Sequence, residues 1–212
     1  MGKRGTKAAS ASRGRDTVGL RIIGGKFRGR KLRYSGDLRV RPMKDRVRES
    51  LFNILGPAVH GKHAIDLFAG TGALALEALS RGASRATILE QHRPTAAIIR
   101  ENIATLGVES LCHVEVTDTF AWARRQPDLG NEPWVVFCSP PYAFFIERQD
   151  AMLELIGRLL HAAPPESLLV VEADERFDFG LLPDPSAWDL RQYPPAVIGI
   201  YEKLTLSPPS PR

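Results

Sequence analysis

The sequence has few of the features that mark membrane, secreted or fibrous proteins. Only two of its 212 residues are cysteine, Cys112 and Cys138, which is too few for a disulfide scaffold or a cysteine-rich metal site. No apolar run approaches the roughly 20 residues that span a bilayer. With 43% hydrophobic and 25% charged residues, the chain has the composition of an ordinary globular domain. Scarce cysteine fits a reducing compartment, so we expect a cytoplasmic protein without membrane contacts.

Acidic side chains are scarce in the N-terminal third. Residues 19–62 carry twelve basic and three acidic side chains, whereas residues 63–212 carry twelve basic and twenty acidic ones. Residues 1–18 add five basic and one acidic residue to a stretch with almost no large apolar side chain. We therefore predict a disordered basic tail over 1–18, a basic extension over 19–62 that contacts nucleic acid, and a main domain over 63–206.

In the main domain, short apolar strands alternate with helical patterns. Strands are predicted at 64–68, 85–90, 112–117, 134–138 and 168–172, with two more at 188–193 and 197–204. Helices are predicted at 73–80, 94–106, 120–125 and 146–160. This alternation predicts an α/β fold with a doubly wound, mostly parallel, seven-stranded Rossmann-like sheet.

The basic extension has its own local pattern. Short apolar runs between Leu20 and Tyr34 are interrupted by glycines, which predicts two short strands around tight turns. A helix is predicted to begin at Pro42. Its inward face would hold Val47, Leu51, Ile54 and Leu55, and its polar face would hold Arg41, Lys44, Asp45 and Arg48.

A glycine-containing turn, DLFAGTG at 66–72, ends the first main-domain strand and begins a helix. Gly70 and Gly72 let the backbone approach a ligand closely, and the helix start offers free N–H groups. A dinucleotide site would have a third glycine, which is missing. Asp66 suits a cationic ligand better than a diphosphate. We therefore predict a small-molecule site at this turn, with an ordinary strand-to-helix turn as the alternative.

Two carboxylates follow the next strands. Glu90 ends the second strand, where a carboxylate can accept hydrogen bonds from both hydroxyls of a ribose. Asp118 ends the third strand, where it could reach an adenine amine or simply cap the following helix. Ligands of doubly wound sheets bind at these strand ends, so the two carboxylates are candidates for one nucleoside-binding site.

The fourth strand runs into Ser139-Pro140-Pro141-Tyr142. Two successive prolines fix the backbone and remove two N–H donors, which leaves carbonyl groups that can accept a hydrogen bond from an amine. Tyr142 offers a flat ring on which a base can stack. We predict that this segment binds an amine and a flat ring of a ligand, with an ordinary proline turn as the alternative.

These motifs together resemble class I S-adenosylmethionine-dependent methyltransferases, with Ser139-Pro140-Pro141-Tyr142 standing where that class has (Asp/Asn)-Pro-Pro-Tyr. The N-terminal sequences RIIGGKFRGRKL at 21–32 and RP-x-x-DRVRE-x-LFN at 41–53 are similar to the RsmD family, bacterial enzymes that methylate N2 of a guanine in 16S ribosomal RNA. The resemblance covers about residues 20–205. The chain departs from the family pattern at Ser139, at Met43 and at Pro194-Pro195.

The resemblance implies S-adenosylmethionine as cofactor. Asp66, Ala69, Gly70 and Gly72 would line its methionine side, Glu90 would hold its ribose, and Asp118 would face its adenine. Ser139, Pro140 and Tyr142 would orient the target amine.

The resemblance also implies 16S ribosomal RNA or a small-subunit precursor particle as partner. The candidate phosphate contacts are Arg21, Lys26, Arg28, Arg30, Lys31, Arg33, Arg39, Arg41, Arg46 and Arg48. The five histidines show no ligand spacing, so no metal is expected.

Three other functions remain open. An adenine-N6 methyltransferase of DNA or RNA would share the Pro-Pro-Tyr geometry, but no target-recognition domain is evident in 212 residues. An RNA-binding assembly factor that binds the cofactor would be consistent with catalysis weakened by Ser139. A small-molecule methyltransferase would not need the basic extension.

Overall fold

The computed structural model describes residues 19–34, 36 and 42–204. Within them, seven strands form one sheet in the order β3-β2-β1-β4-β5-β7-β6. Strands β1 to β5 are parallel, and β7 lies antiparallel between β5 and β6. The strands are β1 (His63–Asp66), β2 (Arg85–Leu89), β3 (Cys112–Glu115), β4 (Trp134–Cys138), β5 (Leu168–Asp174), β6 (Trp188–Tyr193) and β7 (Ala196–Glu202). The predicted Rossmann-like sheet is confirmed.

Six α-helices accompany the sheet in the described residues. They are α1 (Asp45–Leu55), α2 (Ala73–Ser80), α3 (Arg93–Leu106), α4 (Thr119–Arg124), α5 (Phe144–Glu147) and α6 (Gln149–Ala162). The single helix predicted at 146–160 is wrong, because the backbone leaves the helical region at Arg148 and separates α5 from α6. The guanidinium of Arg148 lies over the rings of Phe120 and Phe144. None of the helices in these ranges has the length and apolar character of a membrane span.

Two apolar clusters fill the two faces of the sheet. Because side chains alternate along a strand, Val135 and Phe137 of β4 join one cluster while Val136 joins the other. The first cluster also holds apolar side chains of α1, α2 and α3, and the second holds those of α4 and α6. Helices therefore cover both faces, and the carboxyl ends of β1 to β5 stay available at one edge.

The segment 19–34 packs onto the first cluster. Leu20, Ile22 and Leu32 are buried in it. The structure has one antiparallel bridge, between Arg21 and Lys31, rather than the two predicted strands. The turn between them approaches α2 so closely that a Cβ atom on Gly25 would lie 1.9 Å from the Ser80 carbonyl oxygen. Gly25 also has φ +72°, so the position requires glycine.

A buried carboxylate on α2 holds this segment in place. Glu77 is fully buried and accepts hydrogen bonds from the N–H groups of Ile23 (2.7 Å) and Gly24 (2.8 Å). The guanidinium of Arg81 donates to it at 2.8 Å, and that of Arg48 lies 3.9 Å away. These partners satisfy a charge that would otherwise be costly to bury, so the basic extension and the sheet share one interior.

The expected orientation of α1 needs two corrections. Arg48 is fully buried, because it lies on the same helix face as Leu51 and Leu55 rather than opposite them. Its guanidinium donates to the carbonyls of Arg21 and Met43 and pairs with Asp45. Ile54, expected inside, is 40% exposed. Helix α1 begins at Asp45, three residues after the predicted start.

Candidate active site

A cavity of about 990 Å³ lies at the carboxyl ends of the parallel strands. Its volume is at the upper end of the range for small-molecule sites, about 300–1,000 Å³. We call the part lined by Ala69, Gly70, Glu90 and Asp118 the Glu90 side. The part lined by Ser139, Pro140, Tyr142 and Glu172 is the Ser139 side. The two sides form one continuous cavity.

The glycine turn forms the floor of the Glu90 side. Gly70 has φ +53° and lines the cavity together with Ala69. Gly72 has φ +72° and caps the start of α2, where a Cβ atom would lie 3.1 Å from Ile99. Gly72 is absent from the lining, so its contribution to the predicted site is to shape the turn.

Glu90 joins the second strand end to the glycine turn. Its Oε2 accepts a hydrogen bond from the N–H of Gly70 at 2.9 Å, and its Oε1 accepts one from the N–H of His92 at 2.7 Å. Only 9% of Glu90 is exposed, and that surface faces the cavity. Each carboxylate oxygen retains acceptor capacity, so the group can still accept two hydroxyl hydrogen bonds.

Asp66 lies behind the cavity wall rather than in it. The side chain is 1% exposed and is absent from the lining. Burial raises the pKa of Asp66 to about 7, and the N–H groups of Ala75 and Phe68 offset part of that rise while Glu90 adds to it. The expected direct contact between Asp66 and the cofactor therefore cannot be made from this position, because the side chain does not reach the cavity.

Asp118 caps the helix that follows it, which is one of the two roles predicted from the sequence. Its Oδ1 accepts a hydrogen bond from the N–H of Ala121 at 2.8 Å, which caps α4. The residue also lines the cavity. The capping hydrogen bond thus holds the Asp118 carboxylate in place at the wall of the Glu90 side.

The Ser139 side is organised by Glu172, a residue that the sequence analysis did not select. Glu172 lies on β5 and is 6% exposed. The Ser139 hydroxyl donates a hydrogen bond to its Oε2, and the Tyr142 hydroxyl donates one to its Oε1 at 2.9 Å. Pro140 is buried beside them and lines the cavity. Glu172 ends a predicted strand as Glu90 does, which is the signal that would have found it.

The mouth of the cavity combines distant segments. Met43 lies just before α1 and Arg46 in its first turn, and Pro194-Pro195 comes from the turn between β6 and β7. The Tyr193 hydroxyl lies 2.5 Å from the Ser50 hydroxyl and so joins this turn to α1. Two of the departures from the family pattern, Met43 and Pro194-Pro195, are therefore at the mouth.

Most predicted phosphate contacts are exposed. Those on the surface are Arg21, Lys26, Arg28, Arg30, Lys31, Arg33 and Arg46. Arg39 and Arg41, like the tail over 1–18, lie outside the described residues. Arg48 is a correction: its side chain has no exposed surface and offers nothing to a phosphate. Within the described ranges, no cluster of three His, Cys, Asp or Glu side chains could hold a metal ion.

The fold and the cavity define a Rossmann-like methyltransferase. The family model described as "Conserved hypothetical protein 95" matches residues 20–192. Ribosomal RNA small subunit methyltransferase D of Escherichia coli K12 is 37% identical over 174 residues, 82% of this chain and 83% of that protein. The protein of the same name from Haemophilus influenzae is 37% identical over 74% of this chain and 79% of its own length.

A solved structure agrees with these relatives. The yhhF protein of Escherichia coli is 33% identical, with a TM-score of 0.71, and the match covers 88% of this chain and 99% of that one. The chain belongs to the Conserved hypothetical protein 95 family, which here is the family of ribosomal RNA small subunit methyltransferase D. The resemblance to the RsmD family is therefore confirmed.

Proposed function

We propose that the protein transfers a methyl group from S-adenosylmethionine to the N2 amine of a guanine in small-subunit ribosomal RNA. The observation that carries this proposal is one continuous cavity with Glu90 and Asp118 at one side and Ser139-Pro140-Pro141-Tyr142 at the other. A nucleoside cofactor on the Glu90 side and a nucleobase on the Ser139 side would meet inside it. The names of the curated relatives support ribosomal RNA as the substrate.

The residues of the Glu90 side fit the cofactor. Glu90 would hold the ribose hydroxyls, Asp118 would face the adenine, and Ala69 and Gly70 would lie along the methionine part. The remaining acceptor capacity of the Glu90 carboxylate is the observation that supports this fit. When bound, the cofactor would supply an electrophilic methyl group: a carbon–nitrogen bond would form as the carbon–sulfur bond breaks, the electron pair of that bond would stay on sulfur in S-adenosylhomocysteine, and the proton lost by nitrogen would pass to water.

The residues of the Ser139 side fit a planar exocyclic amine. The N2 lone pair of guanine is delocalised into the ring, so hydrogen-bond acceptors must orient the amine for attack. The Ser139 hydroxyl and the Pro140 carbonyl are such acceptors, and Tyr142 presents a ring beside them. Holding the amine in a fixed orientation is the main contribution that a protein can make to an in-line methyl transfer.

The exposed basic side chains of the extension would hold the RNA. Contacts to phosphates give affinity without sequence choice and make binding salt-dependent. Changing Lys26, Arg28 and Lys31 together to alanine is expected to weaken binding to a ribosomal RNA fragment and to reduce the slope of log K against log salt by about 2. Filter binding at several salt concentrations measures this. Arg124→Ala, an exposed cation on α4, is the matched control, and an unchanged slope in the triple variant would remove the extension from the RNA site.

The decisive experiment is transfer of labelled methyl to undermethylated small ribosomal subunits, followed by nucleoside analysis. Labelled N2-methylguanine is the expected product. Labelled N6-methyladenine would instead support the adenine methyltransferase. Cofactor binding without transfer to subunits or to naked RNA would support the assembly factor and contradict our proposal.

A further inference from the structure

Strand register brings Ser139 and Glu172 together. Strands β4 and β5 are parallel, and Cys138, the last residue of β4, pairs with Val171 inside β5. Ser139 follows Cys138 and Glu172 follows Val171, so the two residues lie side by side where β4 ends at the cavity. The pairing depends on the sheet, and 33 residues of sequence separate the two.

The hydrogen bonds at Glu172 determine the direction of the Ser139 hydroxyl. A serine hydroxyl has one proton and two acceptor lone pairs. Because Ser139 donates its proton to Glu172, its oxygen is left as an acceptor for any other group that approaches. Tyr142 donates to the second carboxylate oxygen at 2.9 Å, which holds the carboxylate from both ends.

Glu172 has hydroxyl partners rather than a cationic one. In the described part of the chain, no salt bridge involves this residue. It is 6% exposed and that surface faces the cavity. Because so little of the Glu172 carboxylate is exposed, water screens its charge only weakly.

We propose that Glu172 is a positioning residue that makes Ser139 an acceptor for the target amine. Glu172 would thereby place behind Ser139 the negative charge that an Asp at position 139 would bring next to the amine. This inference rests on the proposed methyl transfer. It explains how a short, uncharged side chain can stand at this position: Ser139 touches the amine, and Glu172 orients Ser139 from behind.

The first arm of the test is steady-state kinetics with ribosomal subunits. Glu172→Gln is expected to lower kcat about 30- to 100-fold, because an amide carries no charge and has one acceptor oxygen where the carboxylate uses two, one for each hydroxyl. The KM for RNA and the affinity for S-adenosylhomocysteine should stay within threefold of the wild type. Glu175→Gln makes the same chemical change three residues along, at an exposed position, and serves as the matched control. A wild-type kcat in Glu172→Gln would overturn the proposal.

The second arm is rescue. Adding Ser139→Asp to Glu172→Gln places a carboxylate next to the amine, so the double variant should recover to within about tenfold of the wild-type kcat. A structural role for Glu172 predicts no such recovery, since a changed residue 139 cannot repair a disturbed strand end. Failure of rescue in a double variant that is folded and binds S-adenosylhomocysteine would overturn the proposal.

The third arm uses the protein without cofactor or RNA. Infrared difference spectra of wild type and Glu172→Gln identify the Glu172 carboxylate band, and Ser139→Ala should shift that band by removing its donor. An unmoved band overturns the proposal whatever the activity. If the wild type methylates no RNA, the proposed function fails and the role in catalysis fails with it. If the wild type is active and Glu172→Gln is equally active, only the role of Glu172 fails.

Discussion

Glu90 and Glu172 are two buried carboxylates of one cavity, and they are held in different ways. Glu90 accepts hydrogen bonds from two backbone N–H groups, those of Gly70 and His92. Glu172 accepts hydrogen bonds from two side-chain hydroxyls, those of Ser139 and Tyr142. Backbone donors are present whatever the side chains are, so the Glu90 side is set by the course of the chain. The Ser139 side can change with single substitutions, and the departures from the family pattern are on that side or at the mouth.

The largest expected effect tests whether the Glu90 side depends on its carboxylate. Glu90→Ala removes the acceptor of two half-buried N–H groups and of the ribose hydroxyls, so affinity for S-adenosylhomocysteine should fall about 100-fold or more. Titration calorimetry measures the loss. Glu109→Ala, an exposed residue before β3, should bind as the wild type does. Affinity within threefold of the wild type in Glu90→Ala would place the ribose elsewhere.

A smaller effect concerns Asp66, the carboxyl behind the Glu90 side. Its pKa is about 7 in the folded protein and near 3.8 in the unfolded chain, so the folded state retains a proton that the unfolded state releases. Stability from this group is present below about pH 4 and is lost as pH rises through the range between the two values. Relative to the wild type, Asp66→Asn should therefore gain about 2 kcal/mol in free energy of unfolding from about pH 5.5 to about pH 8.

Urea unfolding at the two pH values measures this difference. Ile65→Val is a non-titrating change in the same strand and should cost the same free energy at both. Equal differences for Asp66→Asn at both pH values would show that Asp66 titrates as an exposed carboxyl does.

The smallest effect sharpens the contrast at the mouth. Tyr193→Phe removes the hydroxyl that meets Ser50, a contact worth about 1 kcal/mol. The KM for RNA should rise about fivefold while affinity for S-adenosylhomocysteine is unchanged. Tyr201→Phe, on β7 with its ring against Trp188, is the control. A loss of cofactor affinity in Tyr193→Phe would mean that the two sides are not independent.

Much of the sheet could be predicted because its signals are local. The bounds of α2, β4 and β6 agree with the predicted ones at both ends, since apolar runs and turn residues mark them. The predicted helix at 146–160 failed because its apolar pattern continues across the break, whereas the backbone turns at Arg148. At that turn the Arg148 guanidinium lies over the ring of Phe120, a contact between distant parts of the chain that no local pattern reveals.

The site residues also divide into those with a local sequence signal and those whose position depends on distant parts of the chain. Glu90 and Gly70 could be selected because position at a strand end is enough to place them. The burial of Arg48 could not, because its guanidinium donates to the carbonyl of Arg21, 27 positions away in the chain. Glu172 could have been found from its place at a strand end, but its role depends on strand order, which sets β4 beside β5.

The fully buried Glu77 has a consequence for protein engineering. A designer who transplanted residues 19–62 onto another Rossmann scaffold would need a host helix that carries a carboxylate and a hydroxyl at the places of Glu77 and Ser80. The host would also need to leave the Ser80 carbonyl uncovered, since Gly25 rests against it. Without these features the graft would leave the N–H groups of Ile23, Gly24 and Phe27 without the acceptors that they have here. The basic extension therefore depends on α2 for its position, and the two would have to be transferred together.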